Sequence, residues 1–164
     1  AEYLIVGLAP GAHGSNRTGR MFTGDRSGEW LYEALFASGL ATSSKASSRE
    51  DGLLLKNVRI TAVVRCAPPA NKPTPAEIHA CQRHFKTTLA TRQWKSVLCL
   101  GSIAWNQCLR TMNERPNQFG HEAIQITKEE IKVVGCYHPS QQNTFTGRLT
   151  REMLLSAVRL WISR

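Results

Sequence analysis

Two polar stretches of this chain hold the residue types that do chemistry. The first, Gly7 to Gly28, reads GLAPGAHGSNRTGRMFTGDRSG and carries His13, Arg17, Arg20, Phe22 and Asp25 on a backbone with six glycines. Helical packing has no use for that much glycine, whereas a loop whose backbone lies close to a ligand does. The second, Tyr137 to Arg148, reads YHPSQQNTFTGR. His138 stands there at the end of an apolar run, before a proline and a polar loop. A histidine so placed is poorly suited to buried packing and well suited to moving or donating a proton near neutrality.

Both stretches leave short apolar runs, Tyr3-Leu4-Ile5-Val6 and Val133 to Cys136. A β-branched run feeding such a loop is how an α/β sheet presents a site at the carboxyl ends of its strands, so the two loops are expected on one edge. Ser27 reads as the cap of a helix with Trp30, Leu31, Ala34 and Leu35 at helical spacing and Gly39 as its stop. Val58 to Val64 reads as a strand. The run Cys66 to Pro75 holds four prolines and is irregular, after which Thr74, Pro75 and Glu77 form a helix-capping signal. That helix carries Ile78, Cys81, Phe85 and Leu89. Val97 to Leu100 is a strand, Ser102 to Met112 a helix, Ile124 to Ile126 and Ile131 to Cys136 a strand pair, and Arg151 to Ser163 a last helix. Strands alternating with helices predict an α/β sandwich on a mostly parallel sheet, with residues 1–164 as a single domain. The first strand begins almost at residue 1, so an amino-terminal segment is expected to be missing from this piece.

The net charge of +9 points to a polyanionic partner, nucleic acid first. Five cysteines (66, 81, 99, 108 and 136), odd in number and irregularly spaced, argue against a disulfide framework and for a reducing compartment. Cys99, Cys108 and Cys136 read as core thiols. No apolar run approaches the length of a membrane span, so no membrane partner is expected and the cytoplasm is the expected location.

The pair GLAPGAHGSNRTGR…FTGD and HPSQQNTFTGR resembles the two motifs of the uracil-DNA glycosylase superfamily, specifically its B-type (family 5) enzymes. The similarity extends through VRCAPPANKPTP and LGSIAW to nearly the whole chain. It implies a three-layer α/β/α sandwich with a central, mostly parallel four-stranded sheet. It also implies a prokaryotic monomeric enzyme that flips uracil out of DNA and hydrolyses its glycosidic bond. Phe22 is then expected to stack on the flipped base, and backbone around Gly11, Ala12 and His13 to meet the base carbonyls. His138 donates to the departing base, and Asp25 is the acid that offsets charge on the sugar and holds water. Asn143 is expected to orient the water or contact the base. Phe145 is the expected wedge in the vacated space, with Arg17, Arg20, Lys72 and Arg148 on DNA phosphates or the groove.

Related A-type enzymes carry an acid at the second position of the first motif, where this chain has Leu8. They also carry a base-reading Asn where this chain has Ala62, which makes acceptance of hypoxanthine or xanthine a hypothesis. No motif lysine is available for a Schiff base, so the expected product is an uncut abasic site. Cys66 and Cys81 match two of the four ligands of a [4Fe–4S] cluster in the resembled family. Two rivals stay open: a DNA-binding protein of the same fold without catalysis, and a nucleotide-hydrolysing α/β enzyme. The second needs a phosphate-binding lysine or an acid cluster, and the pairs Glu50-Asp51 and Glu129-Glu130 are expected to be solvated.

Overall fold

The structure is a computed structural model that describes residues 1–8, 26–46, 51–64 and 73–164. Five strands form one sheet: β1 (Tyr3–Gly7), β2 (Val58–Ala62), β3 (Ser96–Leu100), β4 (Ile124–Ile126) and β5 (Lys132–Cys136), in the order β2-β1-β3-β5-β4. The pairs β1–β2, β1–β3 and β3–β5 are parallel. The sheet therefore has one strand more than the expected four. The fifth is β4, antiparallel to β5, because the turn through Glu130 (φ 65°) folds the strand pair back on itself at the sheet edge.

The described residues also form five helices: α1 (Arg26–Ala37), α2 (Pro75–Ala90), α3 (Ser102–Thr111), α4 (Gln141–Phe145) and α5 (Arg151–Ile162). Parallel strands covered on both faces read as continuous apolar runs, and β3 (SVLCL) is buried at every position. Alternation along the strands divides the core in two. Ile5, Leu98, Leu100, Val134 and Cys136 pack with Leu31, Leu35, Leu154 and Trp161 of α1 and α5. Leu4, Val6, Val97, Cys99 and Val133 pack with Phe85, Leu89, Trp105 and Leu109 of α2 and α3. This is the three-layer arrangement.

Local signals shape the helix ends. Thr74 Oγ1 accepts from the Glu77 backbone N–H, and the Glu77 carboxylate accepts from the Thr74 N–H, with Pro75 at the first helical position. Ser27 departs from its expected role. It lies inside α1 rather than capping it, and its hydroxyl donates to the Pro139 carbonyl at 2.8 Å. Gly135 is required where it stands, because an added Cβ would lie 2.7 Å from the Gly120 carbonyl oxygen. No described helix is long and apolar enough to cross a membrane.

Candidate active site at the carboxyl edge of the sheet

Gly7 pairs with Ala62 and Leu100 with Cys136, so these four strands end in step. Their exits lie at the switch between strand order running one way from β1 and the other way through β3, where α/β sheets place ligands. The connections are laced together there. Val64 N–H donates to the Leu8 carbonyl at 3.0 Å and Gly101 N–H to the Cys136 carbonyl at 2.8 Å. Gly101 has φ of 96°, and a Cβ on it would stand 3.7 Å from His138 Cβ.

His138 follows β5 by two residues, and its backbone is held by its own loop. Asn143 Nδ2 donates to the His138 carbonyl at 2.9 Å, while Asn143 N–H donates to Ser140 Oγ at 3.2 Å and so starts the short helix α4. From across the fold, Ser27 grips the next residue, Pro139. His138 keeps partial exposure but its Nδ1 is buried. Burial pushes the imidazole down to about 4, so the ring is neutral at physiological pH.

Tyr137, next door, is fixed independently. Its N–H donates to His121 Nδ1 at 3.1 Å, and His121 Nε2 stands 3.0 Å from the Met153 carbonyl. An accepting Nδ1 leaves Nε2 as the protonated nitrogen, donating to Met153. The Arg148 guanidinium lies 4.7 Å from the Tyr137 ring centroid. Phe145, the last residue of α4, is 64% exposed. Beside it runs a groove of about 310 Å³ lined by Arg26, Trp30, Thr144, Thr150 and Arg151, among others.

Of the residues singled out from the sequence, His138, Asn143, Phe145 and Arg148 thus share the one segment that runs from the end of β5 through α4. Gly11, Ala12, His13, Arg17, Arg20, Phe22, Asp25, Cys66 and Lys72 lie outside the described residues. The described flanks of the first stretch bear on the second: Gly7 ends β1 at this edge with Leu8 following it, and Ser27 touches Pro139. Asn143, expected on water or base, has its amide nitrogen engaged with the His138 carbonyl.

The profile of the uracil DNA glycosylase superfamily matches residues 1–161. The chain belongs to this superfamily. A Type-5 uracil-DNA glycosylase of Mycobacterium bovis is 49% identical over 156 residues, covering 92% of this chain and 58% of that protein. The chain thus spans less than two thirds of that relative's length. A Type-5 uracil-DNA glycosylase of Thermus thermophilus is 45% identical over 161 residues, covering 96% of this chain and 73% of the relative. A Type-4 uracil-DNA glycosylase of Archaeoglobus fulgidus is 30% identical over 146 residues, covering 85% and 66%.

Within this uracil DNA glycosylase superfamily fold the described cysteines, 81, 99, 108 and 136, do not gather into a four-thiolate site. Cys81 is a free, half-buried thiol on α2. Cys99, Cys108 and Cys136 are fully buried, the first two on one face of the sheet and the third on the other. Burial raises the Cys99 and Cys136 thiols, against the thiolate form that iron needs. The described residues contain no group of three or more metal-ligating side chains. Sequence reading of this superfamily member missed the roles of Arg26, Thr144 and His121 and gave Ser27 a different one, that of a helix cap. Nothing in the motif GDRSG announces partners of Arg26 and Ser27 more than a hundred residues away.

Proposed function

We propose that this chain is the glycosylase domain of a DNA-repair enzyme that excises uracil and leaves an abasic site. The observation that carries the reading is a neutral His138, backbone-clamped at the carboxyl edge of the sheet next to an exposed Phe145. Excision begins by taking the nucleotide out of the stack, and Phe145 fills the space it leaves. Phe22 stacks on the extruded base, while backbone at Gly11, Ala12 and His13 meets its carbonyls.

Breaking the glycosidic bond puts positive charge on the sugar and negative charge on the base. With Nδ1 buried, a substrate meets the His138 ring at Nε2, whose N–H donates to the developing oxyanion. A neutral imidazole does this without having to lose a proton first. Asp25 offsets the sugar charge and holds the attacking water. Asn143 acts by holding the His138 backbone. Arg17, Arg20, Lys72 and Arg148 take phosphates, and without a Schiff-base lysine no strand is cut.

Ala62, buried at the end of β2 beside Gly7, offers the base no amide to read. We extend the substrates on that ground to hypoxanthine and xanthine; strict uracil preference in a substrate panel ends the extension. A [4Fe–4S] cluster would take Cys66 and Cys81 together with two thiolates from outside these 164 residues. Iron and acid-labile sulfide assayed in a longer chain test it. A monomer in a reducing cytoplasm is the setting that free cysteines and a DNA substrate support.

The experiment is incubation with a duplex carrying one central deoxyuridine, with and without later alkali. Strand breakage only after alkali, lost in His138→Ala and Asp25→Asn while DNA affinity persists, is the expected result. Equal release by the wild type and both variants refutes the assignment.

A further inference from the structure

Arg26 opens α1, yet its side chain serves a segment 118 residues away. Its Nε donates to Thr144 Oγ1 at 3.0 Å, and its guanidinium carbon stands 4.2 Å from the Phe145 ring centroid. The Thr144 hydroxyl in turn donates to the Gln141 carbonyl at 3.2 Å, so it is held on both sides. Phe145 needs such support. It ends a helix of only five residues and projects 64% of its surface into solvent, where an aromatic ring otherwise moves among rotamers.

The neighbouring arginines are committed elsewhere. Arg151 pairs with the Glu33 carboxylate at 3.2 Å and lies over Trp30, and Arg148 lies over Tyr137. Arg26 has no carboxylate at ion-pair distance among the described residues. Its planar fork stacks on Phe145 while bonding the residue before it, and its guanidinium carbon also lies 5.8 Å from the Trp30 ring centroid.

We propose that Arg26 is a positioning residue that braces Phe145 in the pose required to enter the duplex. The proposal rests on the glycosylase reading above. A ring ordered before contact surrenders less freedom on insertion, so the brace acts on base extrusion and leaves the bond-breaking groups alone. Lysine at this position keeps the charge but has neither the flat face nor the fork.

The test compares single-turnover uracil release from a duplex and from the same strand alone, where no partner strand opposes extrusion. Arg26→Gln and Arg26→Lys should each lower the duplex-to-single-strand ratio by about threefold to tenfold, the size of a partly exposed cation–π contact. In a Phe145→Ala background, Arg26→Gln should change that ratio less than about twofold, since nothing is left to brace. Equal losses on both substrates, full rescue by lysine, or an undiminished effect without Phe145 would each overturn the brace. If the wild type frees uracil from neither substrate, the glycosylase reading fails by itself. The brace is then read from affinity for a duplex with a stable abasic-site analogue: non-additive losses in Arg26→Gln and Phe145→Ala support it, and additive ones refute it.

Discussion

Acidifying the solution from about pH 7.5 to about pH 5 is expected to weaken the fold by about 2 kcal/mol through His138 alone. The imidazole falls from its ordinary value of 6.5 to about 4 when buried beneath the sheet edge. Between those values the unfolded chain takes up a proton that the folded chain refuses, so stability declines as pH falls. It is fully present above about pH 6.5. The loss grows to about 1 kcal/mol by pH 6, about 2 by pH 5 and about 3 by pH 4, where it levels off. Urea unfolding of the wild type and His138→Asn at several pH values isolates the term, because other titrating groups contribute alike to both. The gap between the two proteins should shrink, or reverse in favour of the variant, as pH drops. Parallel decline of both curves would refute the burial argument, as would a titration of the His138 ring protons by NMR with a midpoint near 6.5. The same shift means that His138 imposes no loss of excision between about pH 8 and about pH 6.

Asn143→Ala removes the donor to the His138 carbonyl; we expect about 1 kcal/mol of stability lost and a larger effect on kcat than on KM, read from denaturation and steady-state kinetics. Gly135→Ala forces backbone apart at the Gly120 carbonyl and should destabilise by about 1–3 kcal/mol, visible as a lowered Tm with β5 amides exchanging faster. Thr74→Ala dismantles the reciprocal cap of α2 and should cost about 1 kcal/mol by urea titration, with no change in the duplex-to-single-strand ratio.

How much of this was legible in the chain depended on the distance over which each interaction acts. The cap of α2 is written within four residues, Thr74 to Glu77, and the structure realises it as read. The apolar faces of β1, β3 and β5 were equally legible, since alternation and burial are local patterns. Ser27 was misread for the opposite reason. A serine before a helical run satisfies the local cap rule, but the helix already begins at Arg26 and the Ser27 hydroxyl donates to a carbonyl 112 residues away. The return of β4 to the edge of the sheet likewise depends on pairing with β5, so the sequence showed the two strands but not the fifth place in the order. In the site, His138 announced itself by its position at a strand end. The Arg26–Thr144–Phe145 contact had no local signature, because an arginine after an acid resembles any solvated charge.

The bonds joining α1 to the loop after β5 have a bearing on how the protein matures. Ser27 with Pro139 and Arg26 with Thr144 close loops of more than a hundred residues, and four of the five strands, β2 to β5, lie between their ends. Such contacts carry a large closure entropy, so they are expected to form after more local structure is in place. A half-folded or nascent chain, however much helix it holds, has the His138 loop unfastened. The candidate site at the sheet edge is thereby assembled only as folding completes.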